Sequence, residues 1–151
     1  MYTDNKLKSI LSQYTVLTSN DQNNSIEFES ALQKYAKQKY VIDDTFKDFL
    51  KIVCNKRIQY SYENQIGIIN FNLNKVLKDY PNILIKSFEK KLNLKDIIPF
   101  AEIYNEYMVI VKDSENRILG IYDNLVLLFG NSLIEGIENI LRNKEIKRIS
   151  D

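Results

Sequence analysis

The chain has 151 residues, 44% hydrophobic and 27% charged, enough to bury the core of one domain. It has no histidine and a single cysteine, Cys54, which excludes a His-dependent triad, most transition-metal sites and an internal disulfide. Its net charge of +1 argues against a dedicated nucleic-acid-binding protein, and no apolar run approaches the roughly 18–20 residues of a membrane span.

The first half of the chain predicts helices. Residues 4–14 form a short amphipathic pattern, and residues 18–24 are polar and typical of an exposed loop. After Asn24, apolar residues recur at helical spacing. The clearest helix begins at Asp43 and Asp44, acids that favour a helix N-terminus, and its apolar face is Phe46, Phe49, Leu50 and Val53.

Two strands and two helical segments come next. The alternating segments 57–62 and 66–71 predict a strand pair joined by a polar turn. A brief helical pattern follows, and Pro81 must interrupt it because proline breaks a helix interior. A further helix is predicted over 82–92, with Ile85, Phe88 and Leu92 on one side.

The last third, residues 95–142, predicts three or four short strands joined by tight turns and closed by one helix. The first of these strands begins near Pro99, a position suited to an edge strand. Ser132 and Glu135 form a capping box that opens the terminal helix, which ends at Leu141. We predict a single α+β domain over residues 1–151, an antiparallel meander sheet with helices packed on it.

The charges are unevenly distributed. Residues 33–91 hold twelve Lys or Arg against six Asp or Glu, whereas residues 96–138 hold eight acids against two bases. These charges are either a solvated surface or, in the sheet half, an acidic face that meets a basic partner. The N-terminus lacks the order of a signal peptide, and a lone cysteine fits a reducing compartment, so we expect a cytoplasmic protein.

No motif in the sequence indicates a catalytic site. Four glycines cannot build a phosphate-cradling loop, and the pair Asp43–Asp44 is explained by helix capping. The pair Glu102–Glu106 is interpreted as solvated acids at a strand end. Cys54 follows an apolar helix and is interpreted as a small buried hydrophobe. We therefore expect no catalytic residue, no metal and no cofactor.

The tyrosines suggest a partner-facing surface. Tyrosine is enriched at binding hot spots because its ring buries area while its hydroxyl keeps a hydrogen bond. Two clusters stand out, one on alternate positions of a strand and one in a turn flanked by acids. An outer layer of half-buried sheet tyrosines explains them equally well. The predicted partner-binding residues are Tyr60, Tyr62, Glu102, Tyr104, Glu106 and Tyr107.

A series of short motifs also occurs in a recognisable order. They are Phe49-Leu50 in a helix, the strand Ile69-Asn70-Phe71, the strand Pro99-Phe100-Ala101-Glu102, a strand that ends near Tyr122, and Gly130 before the terminal helix. In this order, residues 44–141 resemble the third subfamily of the SUKH superfamily, the Smi/Knr-type immunity domains of bacterial toxin systems. The chain departs from that pattern at Val53-Cys54-Asn55, where the family tends to have glycines, and at Ala101.

The resemblance implies a non-enzymatic immunity protein that binds one cognate toxin domain, and the acidic segment 96–138 would suit a basic, nuclease-type toxin. The expected partner is that protein, with no nucleic acid and no membrane, and the expected state is a monomer. Two alternatives stay open. One is a general interaction or regulatory module of the same fold without a toxin partner. The other is a small hydrolase or transferase that uses Asp or Glu alone, which would need a carboxylate of raised pKa in a pocket.

Overall fold

The computed structural model describes residues 2–18, 24–144 and 146–149, and of residues 2–4, 18 and 62 only the backbone. This part of the chain forms six helices and eight strands. The helices are α1 Tyr2–Leu11, α2 Asn24–Lys37, α3 Asp44–Val53, α4 Leu73–Asp79, α5 Asn82–Leu92 and α6 Leu133–Leu141. The strands are β1 Thr15–Thr18, β2 Lys56–Tyr62, β3 Gln65–Asn70, β4 Ile98–Ile103, β5 Met108–Lys112, β6 Ile118–Tyr122, β7 Leu125–Gly130 and β8 Lys147–Arg148.

The strands form one antiparallel sheet whose spatial order follows the chain from β1 to β8. Helix α1 precedes the meander and the other five helices are inserted between its strands, so the predicted α+β domain with an antiparallel meander is confirmed. The sequence interpretation missed β1, which pairs with the first half of β2, and β8, which pairs with β7. Of the predicted loop over 18–24, residues 19–23 lie outside the described residues.

Helices cover the central strands on both faces. Side chains alternate along β5, so Met108 and Ile110 join the larger core with α1, α2, α3 and α6, whereas Val109 and Val111 pack with α4 and α5. All of β5 is therefore buried. This explains why its sequence is a continuous apolar run rather than an apolar–polar alternation.

Helix α3 is anchored as its sequence predicts. The Asp43 carboxylate accepts a hydrogen bond from the Phe46 backbone N–H at 2.8 Å, which caps the first turn. Phe46 and Phe49 then pack edge-to-face on Phe100 of β4, with ring centroids 5.5 and 5.6 Å apart. Cys54 directly after the helix is buried, and burial raises the pKa of its thiol to about 11, which confirms it as a small buried side chain.

Helix α6 closes the sheet as predicted. The Ser132 hydroxyl accepts a hydrogen bond from the Glu135 N–H at 3.2 Å, and the Glu135 carboxylate accepts one from the Asn131 N–H. The helix approaches β6 closely, since a Cβ at Gly136 would lie 2.6 Å from the Cβ of Ile118. Only glycine allows this packing distance.

The prediction that Pro99 marks an edge strand is wrong, because β4 lies fourth among the eight strands. β4 pairs with β3 only at Asn70–Glu102, so no ladder on that side needs the N–H that proline lacks. On the other side the register with β5 shifts between Pro99 and Ala101. The Pro99 carbonyl instead accepts a hydrogen bond from the Tyr35 hydroxyl at 2.7 Å.

Candidate protein-binding surface

Three hairpin turns lie at the same end of the sheet. The strands alternate in direction along the meander, so the turns after β2, β4 and β6 all face the same way. We define the turn surface as residues 63–64, 104–107 and 122–124. The remaining connections, including the turn after β5, lie at the opposite end.

The three turns share a composition. Each contains an acid and an asparagine beside at least one tyrosine, and none contains lysine or arginine. Asparagine is an ordinary hairpin residue, but turn geometry requires neither a tyrosine nor a glutamate. With Tyr62, the last residue of β2, placed before the first turn, the sequences are Tyr62-Glu63-Asn64, Tyr104-Asn105-Glu106-Tyr107 and Tyr122-Asp123-Asn124.

Most of the turn surface is open to solvent. Tyr107 is 68% exposed and Tyr122 is 48% exposed, so both are exposed large hydrophobic side chains. The acids Glu63, Glu106 and Asp123 are exposed as well, and Tyr104 is half-buried against the core. The surface thus displays aromatic rings between carboxylates.

Several of these residues adopt left-handed backbone conformations. Tyr104, Asn105 and Glu106 have φ values of 56°, 57° and 71° in succession, and Glu63 and Asn64 have 45° and 64°. A left-handed conformation costs an L-residue with a Cβ about 1–2 kcal/mol, and Asn tolerates it better than Tyr or Glu. Folding alone therefore does not favour Tyr104, Glu106 or Glu63 at these positions.

The structure brings together part of the predicted set. Tyr104, Glu106 and Tyr107 lie in one turn, as expected. Tyr60 does not face solvent, because it is 5% exposed and packs in the larger core. The side chain of Tyr62 lies outside the described part of the chain, although its backbone ends β2.

Like the prediction that Tyr60 faces solvent, the prediction for Glu102 is wrong. It is 1% exposed rather than a solvated acid, and it is held by a lysine from α4. The Lys75 ammonium lies 3.1 Å from a carboxylate oxygen of Glu102, 3.0 Å from one of Glu106 and 2.6 Å from one of Asp79. Three carboxylates share one ammonium, and the two glutamate oxygens therefore lie within about 6 Å of each other.

These contacts shift the titration of both partners. Burial raises the pKa of Glu102 to about 7, although the neighbouring Lys75 ammonium acts in the opposite direction. For Lys75, burial lowers the pKa, but hydrogen bonds to the carboxylates of Asp79, Glu106 and Glu102 outweigh it and raise the pKa well above its ordinary value. Lys75 therefore remains charged near neutral pH, while Glu102 titrates there.

A cavity of about 230 Å³ lies beside this cluster. It is lined by Arg57, Ile68, Asn70, Glu102, Asn105 and Glu106, so it joins the β2–β3 hairpin to the turn surface. Among the described residues, no group of three or more His, Cys, Asp or Glu side chains is arranged to hold a metal ion. In the ranges that the structure describes, no helix has the length and apolar character needed to cross a membrane.

The opposite end of β2 is basic. A groove of about 610 Å³ beside α3 is lined in part by Lys8, Lys51 and Lys56. Lys56 opens β2, whose far end leads into the turn surface, so the basic groove and the acidic turns belong to opposite ends of that strand. The net charge of the molecule is close to zero, but basic and acidic side chains are concentrated at opposite ends of the sheet.

Sequence reasoning missed Tyr122, Asp123 and Lys75. The turn at 123–124 was recognisable, and in a meander every second turn lies at the same end of the sheet, which would have placed it beside 104–107. No sequence signal links Lys75 to Glu102, because their contact depends on how α4 packs across β4.

Comparison with known proteins gave no match: no family model, curated protein or solved structure matches this chain. What the chain does must therefore be inferred from its own residues.

Proposed function

We propose that this chain is an immunity protein of the SUKH type, which binds and neutralises a cognate bacterial toxin domain without catalysis. The observation that carries the proposal is the turn surface, where three turns at one end of the sheet contain carboxylates and no basic residue, and two of them display the exposed tyrosines Tyr107 and Tyr122. Such a surface suits a basic protein partner such as a nuclease-type toxin.

The chemistry of the turn surface supports tight binding. Tyrosine rings such as Tyr107 and Tyr122 bury a large area at little entropic cost, which is why tyrosine is common at interface hot spots. Exposed carboxylates such as Glu63, Glu106 and Asp123 speed the encounter with a basic surface and fix its orientation. A stable complex needs about 800 Å² from each partner, so the interface would extend from the three turns onto their flanks.

The order of elements supports the family part of the proposal. The resemblance implies an α+β domain in which a strand meander is closed by a terminal helix, and the chain folds in that arrangement. The departure at Ala101 falls in β4 at the register shift with β5, where a residue with a side chain is accommodated. Val53 and Cys54 are buried at the end of α3.

A rescue experiment tests this function. The toxin-like domain encoded beside this gene is expressed with and without the protein, and growth and co-purification are followed. We expect rescue and a stoichiometric complex. The double variant Tyr107→Ala, Tyr122→Ala should lose rescue, whereas Val41→Ala should keep it. Val41 is a matched control because it is 84% exposed and lies near Asp113, at the opposite end of the sheet.

Two results would contradict the proposal. If the protein does not protect cells from the neighbouring toxin-like domain, or the gene has no such neighbour, the general interaction module replaces the immunity function. If rescue occurs and the double tyrosine variant rescues as well as the wild type, the turn surface is not the interface.

One observation favours a second candidate function. A carboxylate with a pKa of about 7, Glu102, and a second carboxylate, Glu106, border the same cavity, an arrangement suited to general acid–base chemistry. The chain would then be a small hydrolase. Screening hydrolase substrates with the wild type and Glu102→Gln tests this alternative, which requires turnover that Glu102→Gln abolishes; turnover equal in the two proteins would exclude Glu102 as the catalytic group.

A further inference from the structure

Two helix starts and a buried lysine border a cavity at the end of the sheet opposite the turn surface. The cavity has a volume of about 370 Å³, within the range of small-molecule sites. Thr45 and Phe46 line it at the start of α3, and Leu133 and Ile134 line it at the start of α6. Lys112, the last residue of β5, lines it as well, whereas the turn surface precedes the first residue of that strand.

Lys112 is a buried cation without an anionic partner. Its side chain is 9% exposed and takes the face of β5 that carries Met108 and Ile110, which pack in the larger core. The ammonium lies 5.3 Å from the centroid of the Phe46 ring, a contact that uses none of its N–H donors. Within the described ranges it forms no hydrogen bond and no ion pair. Because a buried charge is costly unless it is paired, packing alone does not explain a lysine at this position.

The two helix starts contribute backbone donors. In α3 and in α6 the capping side chain accepts the N–H of the third helical residue. The N–H groups of the first two helical residues have no acceptor within the helix. Three of them belong to residues that line the cavity, namely Thr45, Leu133 and Ile134. The positive ends of both helix dipoles also lie there, so the cavity combines an unpaired ammonium with unpaired N–H groups.

The charges around the cavity favour a ligand with a single negative charge. Of the described residues that line it, only Lys112 is cationic and only Asp43 is anionic. Asp43 is exposed to solvent and its carboxylate accepts the Phe46 N–H, so it opposes a bound anion only in part. One ammonium and two helix ends therefore suit a carboxylate better than a phosphate dianion. The two oxygens of a carboxylate can accept from the ammonium and from backbone N–H groups at the same time.

We propose that this cavity binds a small molecule with one carboxylate and a compact apolar body. The carboxylate accepts hydrogen bonds from the Lys112 ammonium and from N–H groups in the first turns of α3 and α6. The apolar body packs on the side chains of Phe46, Leu133 and Ile134, which line the same cavity. The site lies at the opposite end of the sheet from the turn surface, so the inference goes beyond the proposed function and does not depend on it.

Titration of benzoate into isotope-labelled protein, followed by NMR, is the first test. Benzamide, which lacks the charge, acetate, which lacks the apolar body, and inorganic phosphate, which carries more charge, are the controls. We expect benzoate to shift the backbone N–H signals of Thr45, Leu133 and Ile134 and to bind about ten-fold more tightly than each control. No shift, shifts at other residues only, equal affinity for benzoate and benzamide, or tighter binding of phosphate would overturn the inference.

A matched pair of lysine variants tests the ammonium. Lys112→Met keeps a flexible side chain of similar length and removes an unpaired buried charge, so the variant should remain folded. Its affinity for benzoate should fall about ten-fold or more, while its affinity for benzamide should not change. Lys90→Met removes an exposed lysine from α5, on the other face of the sheet, and should leave benzoate affinity unchanged. An equal loss in both variants would show attraction by net charge alone and would overturn the inference.

A change of opposite sign is expected at Asp43, which gives a readout that holds even if Lys112→Met fails to fold. Asparagine caps a helix as well as aspartate does, so Asp43→Asn keeps the first turn of α3 and removes only the opposing charge. Benzoate should bind this variant about three-fold more tightly than the wild type, and benzamide should bind both equally. Weaker binding of benzoate to Asp43→Asn would mean that the cavity does not hold an anion beside this residue, and the inference would be overturned.

Discussion

The two turns that flank β5 differ in whether their acidic side chains are buried within the turn or exposed to solvent. The turn after β5, residues 113–116, is held by hydrogen bonds to the side chain of its own aspartate, and we call it the closed turn. Asp113 is 2% exposed, and one carboxylate oxygen accepts hydrogen bonds from the Glu115 N–H at 3.0 Å and the Arg117 N–H at 2.9 Å. The other oxygen accepts one from Nε of Arg117 at 2.7 Å. Asp113, the first residue of this turn, therefore stabilises the fold.

The turn before β5, residues 104–107, is arranged in the opposite way. It holds three successive left-handed residues, and the Tyr107 N–H donates a backbone hydrogen bond across the turn to the Tyr104 carbonyl at 3.2 Å. Tyr107 is exposed, and the Glu106 carboxylate lies half exposed beside Lys75. Little in the fold requires these side chain types.

The difference teaches that acid content does not identify a binding face. The excess of acids over 96–138 includes Asp113 and Glu102, which are buried, and Glu138, which pairs with Arg142. The displayed acids are a smaller set, concentrated by the meander at one end. Burial and pairing separate the two sets, and neither can be read from charge counts.

The largest effect is expected at the closed turn. Asp113→Ala removes a buried carboxylate that accepts three hydrogen bonds and leaves the N–H groups of Glu115 and Arg117 without this acceptor, so the free energy of unfolding should fall by about 2–4 kcal/mol. Urea unfolding followed by circular dichroism measures this loss. Glu115→Ala, in the same turn but exposed, is the control and should change stability by less than about 0.5 kcal/mol. A similar loss in both variants would mean that Asp113 does not hold the turn.

A pH-dependent effect is expected at Glu102, beneath the open turn. The folded chain holds this proton up to a pKa of about 7, against about 4.5 in the unfolded chain. Between these values the folded state binds more protons, so its stability falls as pH rises through the window and levels off above it. The loss is on the order of 3 kcal/mol, since each pKa unit corresponds to about 1.4 kcal/mol.

Glu102→Gln removes this titration, while Lys75 keeps Asp79 and Glu106 as partners. The difference in the free energy of unfolding between the wild type and the variant should therefore change steadily between about pH 5 and pH 7. Urea unfolding at several pH values gives this difference. Parallel curves for the two proteins would show that Glu102 titrates normally.

Much of the fold could be predicted from local sequence signals. The cap at Asp43, the box at Ser132–Glu135 and the alternation within the strand segments each act over a few residues, so periodicity and capping found them. The short edge strands β1 and β8 were missed because four and two residues carry too little pattern. Pro99 wrongly indicated an edge strand. A proline is tolerated in this interior strand because β3 and β4 pair at one position only, and that depends on tertiary structure.

The candidate site could be predicted only in part. The aromatic and acidic turn at 104–107 is visible in the sequence, but the burial of Tyr60 and Glu102 is not. Alternation assigns Tyr60 to a face of its strand without telling which face the core covers. The Lys75 contact joins residues far apart in the chain and needs the packing of α4.

In the turn after β2, a substitution is expected to raise the free energy of unfolding slightly. Glu63 has a φ of 45°, a conformation that glycine adopts freely. Glu63→Gly should raise the free energy of unfolding by about 0.5 kcal/mol, because relief of the backbone strain exceeds the added chain entropy of glycine. It should also weaken binding of the basic partner. Asn64→Gly is the matched control and should change stability and binding little, since Asn tolerates its φ of 64°. Destabilisation by Glu63→Gly would show that this glutamate serves the fold.

The smallest effect on stability is expected at the exposed tyrosines. Tyr107→Ala and Tyr122→Ala should each change the free energy of unfolding by less than about 0.5 kcal/mol, because neither ring is buried. Tyr35→Phe provides the contrast: it removes the buried hydroxyl that donates to the Pro99 carbonyl and should cost about 1–2 kcal/mol. The same urea titrations measure all three. With that result, loss of rescue in the double tyrosine variant reports on the interface and not on folding. A loss above about 1 kcal/mol for either exposed tyrosine would mean that the open turn contributes to the fold as the closed turn does, and the contrast between the two turns would fail.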